Sequence, residues 1–148
     1  MAIDASAVRT PFHLWIVAVL GLLWNGFGVY DYLMSKLHGA EYYREMGMTE
    51  AETAFAQGFP LWVDIAWAVG VWGGLLGAAL LLLRRKAAFP VFVVSLVAFL
   101  ASLVYTWVLS DGASVMRREV GMMQMVILAG CLFFVFYARA MVRRGVLR

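Results

Sequence analysis

The sequence predicts an all-α protein, an integral membrane bundle of four antiparallel helices, and three observations carry that reading. Of the 148 residues, 64% are apolar and only 14% charged, with a mean hydropathy of +0.84. That is more apolar sequence than a soluble domain of this size could bury, so a water-soluble globular protein is excluded. Charged positions divide the chain into four uncharged runs, lying between Arg9 and Asp31, Asp64 and Arg84, Lys86 and Asp111, and Glu119 and Arg139. Each run is close to the ~20 residues a helix needs to cross a hydrocarbon core of about 30 Å. All three prolines, Pro11, Pro60 and Pro90, fall where an apolar run begins. There a missing N–H costs nothing, because the first turn of a helix has no partner for it.

The spans are expected at 11–34, 61–83, 89–110 and 120–141, in a single transmembrane domain over 1–148. The first helix should outlast the membrane and stop near Gly39, with Lys36 and His38 in its last turn complementing the negative dipole end. Asp31 then lies inside a helix. Within the 35–60 connection, Thr49 and Glu52 form a capping-box pattern, which predicts a short interfacial helix over about 50–57 on the membrane surface, closed by Gly58. In the second span Gly70, Gly73, Gly74 and Gly77 make two overlapping small-xxx-small patterns, the sequence form of close helix packing in lipid. The short Arg84–Ala88 connection makes spans two and three antiparallel neighbours. The third span aligns Ser95, Ala98 and Ser102, and the fourth holds the single Cys131, so no intrachain disulfide can form. Two aromatic belts are visible, Trp15, Phe89 and Tyr137 at one edge and Tyr30, Trp62, Tyr105 and Trp107 at the other, while Trp24 and Trp72 are expected to face the bundle or tilt toward backbone carbonyls.

Basic residues set the expected orientation. Eight of the twelve lie in the tails and the Arg84–Lys86 turn, which places both termini in the cytoplasm and the 31–63 and 110–121 connections outside. The first apolar run is too long for the core of a cleaved signal peptide, and no small-residue cleavage pattern follows it. In a membrane protein the net charge of +3 reports topology and gives no reason to expect a nucleic-acid partner.

Polar side chains from all four spans fall at one depth, the outer half: Asn25 and Asp31, then Asp64, then Ser102, Tyr105 and Thr106, then Gln124. Ionisable groups at membrane depth are costly and mark either a pathway or a lock between helices. Asp64 has a simple structural explanation, since a carboxylate in a helix's first turn complements the positive dipole end. Asp31 has none, and an ion pair with Arg117 or Arg118 is its expected structural role. Metal and cofactor chemistry find no support. His13 and His38 sit at opposite membrane edges, and His38, Glu41 and Glu45 are separated by Gly39. Six methionines toward the outer side (Met46, Met48, Met116, Met122, Met123 and Met125) could offer thioether ligands, but filling irregular gaps is their commoner use. A Cys-x-x-Cys pair, paired Glu-x-x-His motifs, a Gly-x-Ser-x-Gly elbow and a phosphate-binding glycine loop are all missing, which excludes the enzyme classes that need them and makes an enzyme the less expected reading.

Leu23-Trp24-Asn25 followed by Gly28 and Asp31-Tyr32, then Gly58-Phe59-Pro60 with Trp62, then Leu80–Leu83 ending in Arg84-Arg85, resemble a group of small bacterial four-span proteins. Some of that group are labelled sugar transporters. The resemblance covers roughly residues 11 to 110, and it implies a bacterial inner membrane without supplying a catalytic residue. The function expected is that of an accessory or structural subunit in a membrane assembly, alone as a homo-oligomer or docked on a larger complex, with the lipid bilayer as its solvent. The alternative is a small-solute or proton-coupled carrier using the outer polar site. The inner halves of the spans offer that alternative only Ser95, Cys131 and apolar residues, whereas alternating access normally uses a site near the midplane.

Overall fold

A computed structural model describes residues 8–148. Its elements in chain order are α1 (Phe12–His38), α2 (Ala40–Glu45), α3 (Glu50–Gln57), α4 (Leu61–Leu82), α5 (Ala88–Val104), a π turn (Tyr105–Leu109), α6 (Gly112–Val115) and α7 (Arg118–Arg143). Four stretches, Phe12–His38, Leu61–Leu82, Ala88–Leu109 and Arg118–Arg143, are long and apolar enough to cross a membrane. The protein is therefore an all-α bundle with four candidate spans.

Pro11 and Pro60 are the N-caps of α1 and α4, and Pro90 sits in the first turn of α5. At the other end of α1, Gly39 has a φ of +53°, a conformation that favours a residue without Cβ. The chain turns there and starts α2. Thr49 caps α3 in both directions, its hydroxyl accepting from Glu52 N–H and its own N–H donating to the Glu52 carboxylate.

Around the ring, α4 packs closely on both α1 and α5, and α7 packs on α5. Contact between α1 and α7 is made instead by single side chains: Phe134 against Gly21, and His13 Nδ1 with the Tyr137 hydroxyl at 2.5 Å. Three seams are thus tight and the fourth is open. The continuous apolar core includes Leu14, Ala18, Ala78, Leu81, Phe92 and Phe134, toward the end of the bundle that carries Phe12 and the Arg84–Lys86 turn. We refer to this as the basic end and to its opposite as the loop end. Phe92 and Phe134 stack at 5.2 Å between ring centres, in notches left by Gly77 and Gly21.

The α4 glycines are used inside the chain rather than toward another one. Gly73 lies against Ser95, Gly74 against Asn25 and Gly77 against Phe92, while the Ser95 hydroxyl donates to Gly70 O at 2.6 Å. Close backbone approach is what such residues permit, and here the partners are α1 and α5. Trp24 and Trp72 are 44% and 45% exposed, so neither is enclosed by the bundle, and Trp24 lies against Gly130 at the α1/α7 seam.

Candidate functional site

The sequence places seven polar residues at one depth, and the structure distributes them among separate contacts. Asn25, on α1, donates from Nδ2 to Gly21 O at 2.8 Å, and its Oδ1 occupies the space a Cβ on Gly74 would need. Asp31, one turn and a half further along, accepts from the Tyr42 hydroxyl at 2.8 Å. Burial, and then the bond to Asp31, push the Tyr42 phenol upward, so it remains a protonated donor. Asp64, in the first turn of α4, pairs with Lys36 at 2.6 Å, with both side chains about one-third exposed. The Lys36 ammonium also lies 5.8 Å from the Tyr32 ring centre and 5.7 Å from that of Trp67, within cation–π range.

On the third span the hydroxyls turn inward to their own backbone. Ser102 donates to Ala98 O at 3.3 Å and Thr106 to Ser102 O at 3.0 Å, the one-turn-back bond that satisfies such residues in apolar helices. Ser110 donates to the carbonyls of Tyr105 and Thr106, which the π turn exposes. Tyr105 belongs to an aromatic cluster with Phe55, Phe59 and Trp62, ring centres 5.5–6.3 Å apart, which holds α3 over the end of α5. Gln124 accepts from the Trp107 indole at 2.6 Å, joining the π turn to α7.

The basic residues of the second long connection have a different partner from the one expected. Arg117 pairs with Glu52, not with Asp31: its Nε lies 3.0 and 3.1 Å from the two carboxylate oxygens, and its backbone N–H donates to one of them at 3.0 Å. The reason is geometric. The capping box aims the Glu52 carboxylate toward the N-terminus of α3, and α6 brings Arg117 there, while Tyr42 has already covered Asp31. Glu52 is fully buried. Burial alone would raise its carboxyl, but the N–H groups of Thr49 and Arg117 and the Arg117 guanidinium outweigh it and hold it down at about 2. Arg118 instead lines an open recess of about 580 Å³ with Trp107, Met116, Met122 and Met125.

A second recess, of about 600 Å³, occupies the open seam between α1 and α7. Leu20, Leu23, Trp24 and Phe27 line one side, and Val126, Gly130 and Phe134 the other. The Trp24 indole lies beside Gly130, where α7 offers no side chain. Among the described residues no group of three or more His, Cys, Asp or Glu side chains could hold a metal.

Sequence reasoning did not find the roles of Glu52, Lys36, Tyr42 and Trp107. Glu52 carried a signal, the capping box, which predicts a helix start and says nothing about an ion pair on a buried carboxylate. No protein-family model matches this chain, and neither a curated protein nor a solved structure is detectably similar to it.

Proposed function

We propose that this chain is an accessory or structural subunit of an assembly in a bacterial inner membrane, with both termini and the Arg84–Lys86 turn in the cytoplasm. The observation that carries the reading is the open α1/α7 seam, an apolar recess bordered by Leu23, Trp24 and Phe27, each exposed by 44% or more. Helices in lipid associate by close packing, and these half-exposed side chains offer apolar and aromatic contact area to a neighbouring helix at membrane depth. The polar residues support the same reading, because Lys36–Asp64, Tyr42–Asp31 and Trp107–Gln124 each tie two elements together. Such locks make a rigid scaffold with one face left for a partner.

The experiment is native mass spectrometry of protein extracted gently from its own membrane, beside cysteine cross-linking from Leu23→Cys or Val126→Cys in a Cys131→Ser background. A homo-oligomer or a larger complex, with cross-links from both seam positions, is the expected result. A stable monomer with no cross-link from either position would overturn the reading.

A further inference from the structure

The charges of this protein are separated along its length, and the fold sharpens that separation. Every side-chain carboxylate among the described residues (Asp31, Glu41, Glu45, Glu50, Glu52, Asp64, Asp111 and Glu119) belongs to the loop end or to the half of a span leading to it. All three ion pairs among the described residues are there too: Lys36–Asp64, Arg44–Glu50 and Arg117–Glu52. The basic end holds Arg84, Arg85, Lys86, Arg139, Arg143, Arg144 and Arg148, with no described side-chain carboxylate beside them.

Tertiary structure joins these residues into one surface. After α7 the chain turns at Gly145, φ +70°, and buries Val146 and Leu147 against the apolar core. Arg148 N–H then donates to Arg84 O at 2.8 Å, and Lys86 N–H donates to Arg148 O at 3.0 Å. The 84–86 turn and the 143–148 segment, sixty residues apart in sequence, are thereby fixed side by side. Arg84 itself has a φ of +58°, where glycine would be unstrained, and its Nε donates to Val146 O at 3.4 Å. Arg84 thus occupies a backbone conformation that favours glycine, and its side chain adds a contact between the two basic segments.

We propose that this basic end is a binding surface for anionic phospholipids, taking their phosphate diesters between the Arg84–Lys86 turn and Arg143, Arg144 and Arg148. Charge complementarity is the first argument: closely placed like charges with no side-chain carboxylate beside them among the described residues attract counter-charges, and the headgroup layer supplies them. Position is the second. Arg84 follows the last residues of α4, and Arg143 ends α7, so these side chains emerge at the edge of the hydrocarbon where lipid phosphates lie. Arginine also matches a phosphate geometrically through paired N–H donors. The inference rests on the membrane bundle and its charge distribution, and is independent of the subunit reading.

The test uses the full chain in nanodiscs of mixed phosphatidylglycerol and phosphatidylcholine, with lipids retained after gentle detergent transfer counted by native mass spectrometry. The wild type should retain phosphatidylglycerol preferentially, and the preference should fall with salt. The variant Arg85→Gln/Lys86→Gln/Arg143→Gln/Arg144→Gln, which spares the Arg84–Arg148 backbone pairing, should lose at least roughly tenfold of it. A control at the loop end, Arg44→Gln/Arg118→Gln, should lose none. Exchanging the same four residues between Lys and Arg should keep most of the preference, which separates lost charge from lost folding. Equal retention of the two lipids by the wild type, or an undiminished preference in the glutamine variant, would overturn the proposal. So would displacement of the retained phosphatidylglycerol by an acidic protein partner at the same residues.

Discussion

Glu52 and Arg117, sixty-five residues apart, form a buried carboxylate–guanidinium contact with Nε 3.0 and 3.1 Å from the two oxygens. Together with the N–H of Thr49 and that of Arg117, this gives a carboxylate with no access to water four hydrogen-bond contacts. Removing Arg117 leaves the Glu52 carboxylate desolvated and short of partners, whereas the Arg117 side chain, 46% exposed, can return to water when Glu52 is removed. Arg117→Ala should therefore cost about 2–4 kcal/mol, read as a fall in unfolding temperature in mild detergent. A change within error of zero would show that the connection contributes nothing to stability.

The same carboxylate sets a pH dependence. Its folded pKa of about 2 lies below the ordinary value of 4.5, so the stabilisation it contributes is complete above about pH 4.5. It should be lost progressively as pH falls from about 4.5 toward 2. Thermal unfolding recorded from pH 7 to pH 3 should show this loss in the wild type and a flatter profile in Glu52→Gln.

Gly74 and Gly70 should respond differently to the same substitution. A Cβ on Gly74 would overlap Asn25 Oδ1, whereas the nearest atom to a Cβ on Gly70 is 3.8 Å away. Gly74→Ala should destabilise the bundle and Gly70→Ala should leave it nearly unchanged. Because the obstacle at Gly74 is one side-chain oxygen, Asn25→Ala should recover part of the loss, and a double-mutant cycle in thermal unfolding measures it.

Asp31 and Tyr42 should behave as a coupled pair. Asp31→Ala and Tyr42→Phe each remove the 2.8 Å bond between α1 and α2, so their effects on stability should fall short of additive by about 1 kcal/mol. By contrast, Lys36→Met should cost no more than about 1 kcal/mol, shrinking with salt, because the Lys36–Asp64 pair is partly exposed.

Leu147 is fully buried although it lies beyond the last helix. Leu147→Ala should cost about 2–4 kcal/mol and expose the 143–148 segment to trypsin, which cuts after its arginines. An unchanged digestion pattern would show that this segment is not held by its packing.

The all-α class, the four long apolar helices, the helix stop at Gly39 and the Thr49–Glu52 capping box were all legible in the sequence. Each depends on residues close together in the chain: an uncharged run long enough to cross lipid, a φ that favours glycine, a side chain three residues from the N–H it accepts. Partner choice was not legible. Arg117 meets Glu52 rather than Asp31, the α4 glycines meet Asn25, Ser95 and Phe92, and Arg148 meets Arg84, through contacts between segments distant in sequence. A sequence shows that a charged or small residue needs a neighbour at membrane depth. Which neighbour it finds depends on helix rotation and on the path of the connections, and those follow from packing the whole bundle at once.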